Sequence, residues 1–172
     1  MSRAFVRESD GDDPGDVPER PISPHPNYVR PRGLALLKAE AARLADEQGA
    51  LKAAGESLDA HARLAAVARD LRYVNARIAS AIVVGAAVGT TDEVRFGARV
   101  KVADEDGVVR AFTLVGEDEA DAAANLVSWV APLARAVLGA RVGDDVILHR
   151  PAGDTPLTVV GIEAVEDGGD IG

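Results

Sequence analysis

The sequence predicts an α+β protein: an antiparallel helical hairpin followed by a small antiparallel β-sheet packed on a short helix. Three observations carry this. Between residues 32 and 84 apolar residues recur in alternating steps of three and four, with one break at Gly55. From Glu93 onward the period falls to two, in short runs parted by turn-forming residues. Alanine and valine supply much of the 47% apolar content while aromatics make up only 3%, which suits a thin coil and a small sheet better than one thick core.

Residues 1–31 contain Pro14, Pro18, Pro21, Pro24, Pro26 and Pro31 among many acids. Such a segment buries too little apolar surface to offset its ordering entropy and reads as a disordered acidic tail. Residues 32–84 then form the hairpin. Leu34, Leu37, Ala41, Leu44 and Leu51 make one apolar stripe, and Leu64, Val67, Leu71, Val74 and Ile78 make the other. Steps of three and four place each set on one face of a helix. Gly55 is a natural terminator of the first arm, and Ser57 a cap for the second. Folding the arms about residues 56–58 pairs Leu51 with Leu64, Leu44 with Leu71 and Leu37 with Ile78. The tip is "GESLDA", which holds Glu56 and Asp59 three positions apart. Two such acids can be solvated turn residues, a favourable charge at a helix N-terminus, or a pair that shares a metal ion with another molecule.

Residues 85–92, "GAAVGTTD", read as a flexible linker, so hairpin and sheet are expected to unfold as independent modules. Residues 93–166 carry the sheet. Ala98, Val100 and Val102 alternate, "DEDG" turns the chain, and "VVRAFTLV" continues as a second strand. "NLVSWV" is a third strand, and "PLARAVLG" a short helix opened by Pro132 and closed by Gly139. "DDVILH" and "LTVVGIEAV" are the last two strands, joined by the turn "RPAGDTP", before an acidic end at 167–172. Phe96, Phe112 and Trp129 are expected in the core of the sheet. Leu133 and Ala134 either pack inward or form a docking edge.

Composition excludes several functions. Cysteine is absent, which rules out disulfides and thiolate chemistry. The formal charge of −9 argues against autonomous nucleic-acid binding, which needs clustered Lys and Arg, and favours a basic protein partner. No apolar run has the length of a transmembrane helix and no signal core is present, so a soluble, cytoplasmic protein without membrane contact is expected. His25, His61 and His149 share no zinc-ligand spacing, no phosphate-binding glycine loop occurs, and "GEDEAD" reads as a solvated strand connection rather than a metal loop.

The C-terminal half resembles a known family. "FGARVKV", "LVGEDEAD", "NLVSWVAPLARAVLGARVGDDV" and "RPAG" stand in the order and spacing of the Gre transcript-cleavage elongation factors of bacteria, with Ala131 where a serine is usual before the proline. The hairpin is similar more loosely, through "RPRGLALLKAE" and "RDLRYVNARIASAIVV". Residues 1–31 have no counterpart. The resemblance implies an FKBP-like C-terminal domain that binds the rim of the RNA polymerase secondary channel, with Ser128, Pro132, Leu133 and Ala134 as candidate contacts. It implies that the coil enters the channel, and that Glu56 and Asp59 there support the polymerase's own hydrolysis of backtracked RNA, on Mg²⁺ shared with the polymerase. No cofactor of its own and no enzymatic activity of its own are implied. The tip departs from the family pattern of glycine, aspartate, two residues, glutamate, asparagine and alanine. Here the spacing is kept, the two acid types are exchanged and the asparagine is missing. Each arm also lacks about two turns, roughly seven residues or on the order of 10 Å of reach. The rival reading is therefore a non-catalytic channel occupant that inhibits or competes with cleavage factors. A prolyl isomerase, suggested by fold alone, is disfavoured by the scarcity of aromatics.

Overall fold

The computed structural model describes residues 17–55, 57–85 and 92–165. Glu56, most of the linker and both chain ends lie outside the described residues, and with them the expectations for residues 1–16 and 167–172. The chain runs β1 (Tyr28–Val29), α1 (Pro31–Ala53), α2 (Leu58–Ala79), β2 (Ile82–Val83), β3 (Ala98–Ala103), β4 (Val109–Val115), β5 (Leu126–Ser128), α3 (Pro132–Val137), β6 (Asp145–Leu148) and β7 (Thr155–Ala164).

The hairpin forms as the stripes require. Pro31 opens α1, where its missing N–H costs nothing. Leu37, Leu44, Val67 and Val74 are buried between the arms, and Leu34, Ala41, Leu51, Leu71 and Ile78 pack around them. Packing thins toward the tip, where Leu51 and Leu64 border a small cavity with Gly55 and His61. Outside the seam, Arg63 of α2 binds Glu47 of α1 across the hairpin, and Arg43 bonds both Glu40 and Glu47. The Arg63 hydrogen bond is the main cause holding the Glu47 carboxyl below its ordinary range. Leu44 is 3% exposed while Leu71 is only half-buried. Leu44→Ala should accordingly lower stability by about 2–4 kcal/mol, and Leu71→Ala by visibly less, in urea unfolding followed by circular dichroism.

The C-terminal sheet has the order β5-β4-β3-β7-β6. Alternation places Ala98, Val100 and Val102 of β3, Phe112 and Leu114 of β4, and Leu157 and Val159 of β7 in one core, which Ala134 and Val137 of α3 cover. The sheet is mixed rather than antiparallel. β5 runs parallel to β4, with Thr113 opposite Leu126 and Val115 opposite Ser128. The chain reaches this register by crossing back through a single turn of 3₁₀ helix at Glu117–Glu119 and a loop in which Asn125 takes a positive φ of 54°. Only Leu126–Ser128 of "NLVSWV" is strand.

Two expectations are corrected where the halves meet. The tail does not extend to residue 31. Tyr28 and Val29 pair in parallel with Ile82 and Val83, so both ends of the hairpin are tied together at its base. Asn27 is buried and its side-chain amide donates to the carbonyl of Arg77 (2.7 Å) and to Ser80 Oγ (3.1 Å). Earlier in the segment, Arg72 binds Glu19, and Arg20 lies 3.8 Å above the Tyr73 ring. The aromatic rings assigned to the sheet core divide accordingly. Phe112 is buried there, whereas Phe96 and Trp129 meet Tyr28 at 6.0 and 5.1 Å, and His25 reaches Trp129 edge-on. The backbone of Tyr28 passes so close to the sheet that a Cβ on Gly116 would sit 2.5 Å from its carbonyl oxygen.

Polar contacts complete the joint. Arg30 and Glu119 form a bidentate pair whose side chains are 7% and 4% exposed. Arg77, near the end of α2, donates through Nε to Asp118, and the Tyr73 hydroxyl donates to the other Asp118 oxygen at 2.7 Å. Burial first, and the bond to Asp118 second, push the Tyr73 phenol above its ordinary pKa. Most of the expected flexible linker lies outside the described residues; beside it the two halves meet through these contacts, which form a brace. Glu117, Asp118 and Glu119, three of the four acids in the "GEDEAD" that read as a solvated strand connection, are the C-terminal domain's half of it.

Candidate functional site

Three features position what this molecule can present to a partner. The first is the hairpin tip. Gly55, at φ +94°, ends α1 in the left-handed region that favours glycine. Ser57 then caps α2, its Oγ accepting from the amide of Ala60 at 3.1 Å. This geometry fixes Asp59 in the first helical turn with its carboxylate exposed, where the helix dipole favours a negative charge. Leu58 beside it is 82% exposed, so the tip offers one apolar and one acidic side chain side by side. Among the described residues no cluster of three or more potential metal ligands occurs. The donor set of the described tip is one carboxylate, which suits Mg²⁺ only as an ion shared with other oxygen ligands, since Mg²⁺ keeps most of its waters.

The second feature is the surface of the C-terminal domain around α3. Pro132 is exposed at the first position of the helix, as expected of a contact residue. Ser128 is half-buried at the end of β5, and its Oγ accepts from the Val130 amide (3.4 Å), which shapes the turn into α3. Leu133 is half-buried against the sheet core. Ala134 is 0% exposed and cannot touch a partner; it corrects the proposed contact set. Nearby, Ile147 on the edge strand β6 is 45% exposed. Together Val130, Pro132, Arg135, Ala136, Ile147 and His149 line a groove of about 450 Å³ between α3 and β6. An apolar residue in "DDVILH" was visible in the sequence, but only the packing of α3 beside β6 shows which one faces outward.

The third is the brace, which sets the angle at which the tip leaves the C-terminal domain. Arg30, Arg77 and the acids at 117–119 are engaged with one another across the joint; they are positioning residues. A coil held at a fixed angle to a small β domain, with an acid at the far end and a groove on the near one, defines the class: a braced helical hairpin on a β domain.

Comparison with known proteins agrees with that class. Residues 89–164 match the family model described as transcription elongation factor, GreA/GreB, C-terminal. The transcription elongation factor GreB of Neisseria meningitidis serogroup B is 32% identical over 155 positions, which cover 81% of this chain and 95% of that protein. GreA of Sphingopyxis alaskensis is 33% identical over 138 positions, covering 77% and 87%. The crystal structure of GreA factor homolog 1 of Thermus thermophilus aligns over 81% of this chain and 99% of that one, at 22% identity and a TM-score of 0.38. The chain belongs to the GreA/GreB family of transcription elongation factors. The 155 positions aligned with the Neisseria protein outnumber the residues in 81% of a 172-residue chain, so this chain lacks residues that the relative has. Among the described residues, no helix is long and apolar enough to cross a membrane.

Proposed function

We propose that this chain binds RNA polymerase, seats the α3–β6 groove on the rim of the secondary channel, and directs the hairpin inward to modulate elongation. It carries no hydrolytic chemistry of its own; any cleavage of backtracked RNA belongs to the polymerase. The observation that carries this reading is the braced hairpin ending in a capped tip with an exposed Asp59. A Mg²⁺ ion shared between Asp59, Glu56 and polymerase ligands would activate water for phosphodiester hydrolysis.

A second reading is favoured by arm length. Helices of 23 and 22 residues span roughly 33–35 Å at 1.5 Å per residue. If the residues missing relative to the Neisseria protein come out of the arms, the tip stops short of the polymerase metal. The chain would then occupy the channel without promoting cleavage and displace longer-armed factors.

Docking is tested with Ile147→Asp, which places a charge in the groove without touching the core. Affinity of the full chain for core RNA polymerase, read by biolayer interferometry, should fall about tenfold or more. An unchanged affinity would move the docking face elsewhere, and no binding by the native chain would remove the polymerase reading altogether.

A further inference from the structure

At the end of the sheet where β3 turns into β4 and β6 into β7, a pocket of about 190 Å³ opens beside α3. Its apolar lining comes from Val102, Phe112, Leu133, Leu148 and Leu157, and Arg110, Arg150 and Asp104 border it. It shares no lining residue with the α3–β6 groove. Along β6 and the following turn the two alternate: Ile147 and His149 line the groove, Leu148 and Arg150 the pocket.

The charge around this pocket is unusual for an acidic chain. Most arginines of the described residues pair with a carboxylate, but Arg110 and Arg150, like Arg32, Arg135 and Arg141, have none within ion-pair distance among those residues. Two of the neighbouring acids are engaged within their own turns. Asp104 accepts from the amides of Asp106 and Val108 (3.1 and 2.9 Å), and Asp154 bonds His149 Nδ1 at 2.8 Å. Arg150 is held at the mouth by Thr155, whose Oγ1 accepts from its Nη2 at 2.6 Å. An apolar cavity bordered by two unpaired guanidinium groups matches a ligand with one apolar group and adjacent carboxylates.

We propose that this pocket docks an extended acidic peptide segment of a protein partner, which seats one bulky apolar side chain in the cavity and sets flanking carboxylates on Arg110 and Arg150. A polynucleotide fits less well. Phe112 is 4% exposed and offers no face for base stacking, and two arginines alone would have to hold every phosphate of the strand. The inference goes beyond the polymerase reading and stands without it, because the site lies outside the groove assigned to docking there.

The test uses the full chain and a fluorescein-labelled peptide, Gly-Asp-Leu-Asp-Glu-Gly, followed by fluorescence anisotropy. Saturable binding is expected with Kd of about 1 mM or tighter. Arg110→Gln with Arg150→Gln, both at exposed positions, should weaken it about tenfold or more, and so should replacing the peptide leucine by serine, which leaves the protein untouched. Ile147→Asp should leave it unchanged. Absence of saturation, indifference to the peptide leucine, or equal loss with Ile147→Asp would each overturn the proposal. So would a labelled oligothymidylate that binds more tightly than the peptide and loses affinity with the same two arginines, which would make this a nucleic-acid contact.

Discussion

Replacing Arg77 by methionine should cost about 3–5 kcal/mol of stability, the range found when one partner of a buried ion pair is removed. Arg77 is 1% exposed, and its guanidinium faces Asp118 at 2.5 Å and Glu117 at 3.6 Å. Asp118 exposes its backbone, but its side chain is only 15% exposed, so solvent cannot stand in for the lost cation. Without Arg77 the two carboxylates face each other with the Tyr73 hydroxyl as the remaining donor to Asp118. Methionine keeps much of the side-chain length, which separates the charge from packing. Asp118→Asn, which keeps a hydrogen-bond acceptor and removes one buried charge, should cost less.

The same variant decides whether the halves are modules or one unit. Trp129 is the single tryptophan and lies against His25 and Tyr28 at the joint, while most helical signal comes from α1 and α2. Tryptophan fluorescence and far-ultraviolet circular dichroism therefore report different halves of the chain. With the brace intact, both should change at one denaturant concentration, and Arg77→Met should shift both or split them. Independent modules would leave the fluorescence midpoint where it was while the helical midpoint alone moved.

What the sequence reveals and what it hides follow the same physical divide. The hairpin was legible because Leu37, Leu44, Val67 and Val74 are a periodic signal, and burial follows period. The tip was legible because Gly55 and Ser57 have local conformational preferences that act without tertiary context. The brace has no period. Asn27, Arg30 and Arg77 are single polar residues whose hydrogen-bond partners lie 41 to 89 positions away, and a proline-rich acidic stretch looks unstructured by composition. The parallel pairing of β5 was hidden for a related reason. A strand of three residues reached through a 3₁₀ turn carries no signature that separates it from a hairpin return. Ala134 entered the candidate contacts for want of one fact, which face of α3 meets the sheet.

If the chain occupies the channel as proposed, the tip acids are expected to be dispensable there. Productive chemistry tolerates misplacement of only about an ångström, whereas arms two turns short would lose reach on the order of 10 Å. On stalled, backtracked elongation complexes the native chain should add little RNA cleavage. It should lower cleavage driven by a longer-armed Gre factor in a concentration-dependent way, because both would occupy one channel. Glu56→Gln with Asp59→Asn keeps the shape of both side chains and removes the charge. That double change should leave the competition intact and cost about 1 kcal/mol of stability or less, since Asp59 is an exposed first-turn acid and Ser57 still caps the helix. Strong Mg²⁺-dependent cleavage by the native chain alone, abolished by the double change while polymerase binding survives, would reverse this conclusion. The carboxylates would then reach the polymerase metal despite the short arms, through a docking angle that the Arg30 and Arg77 pairs hold in place.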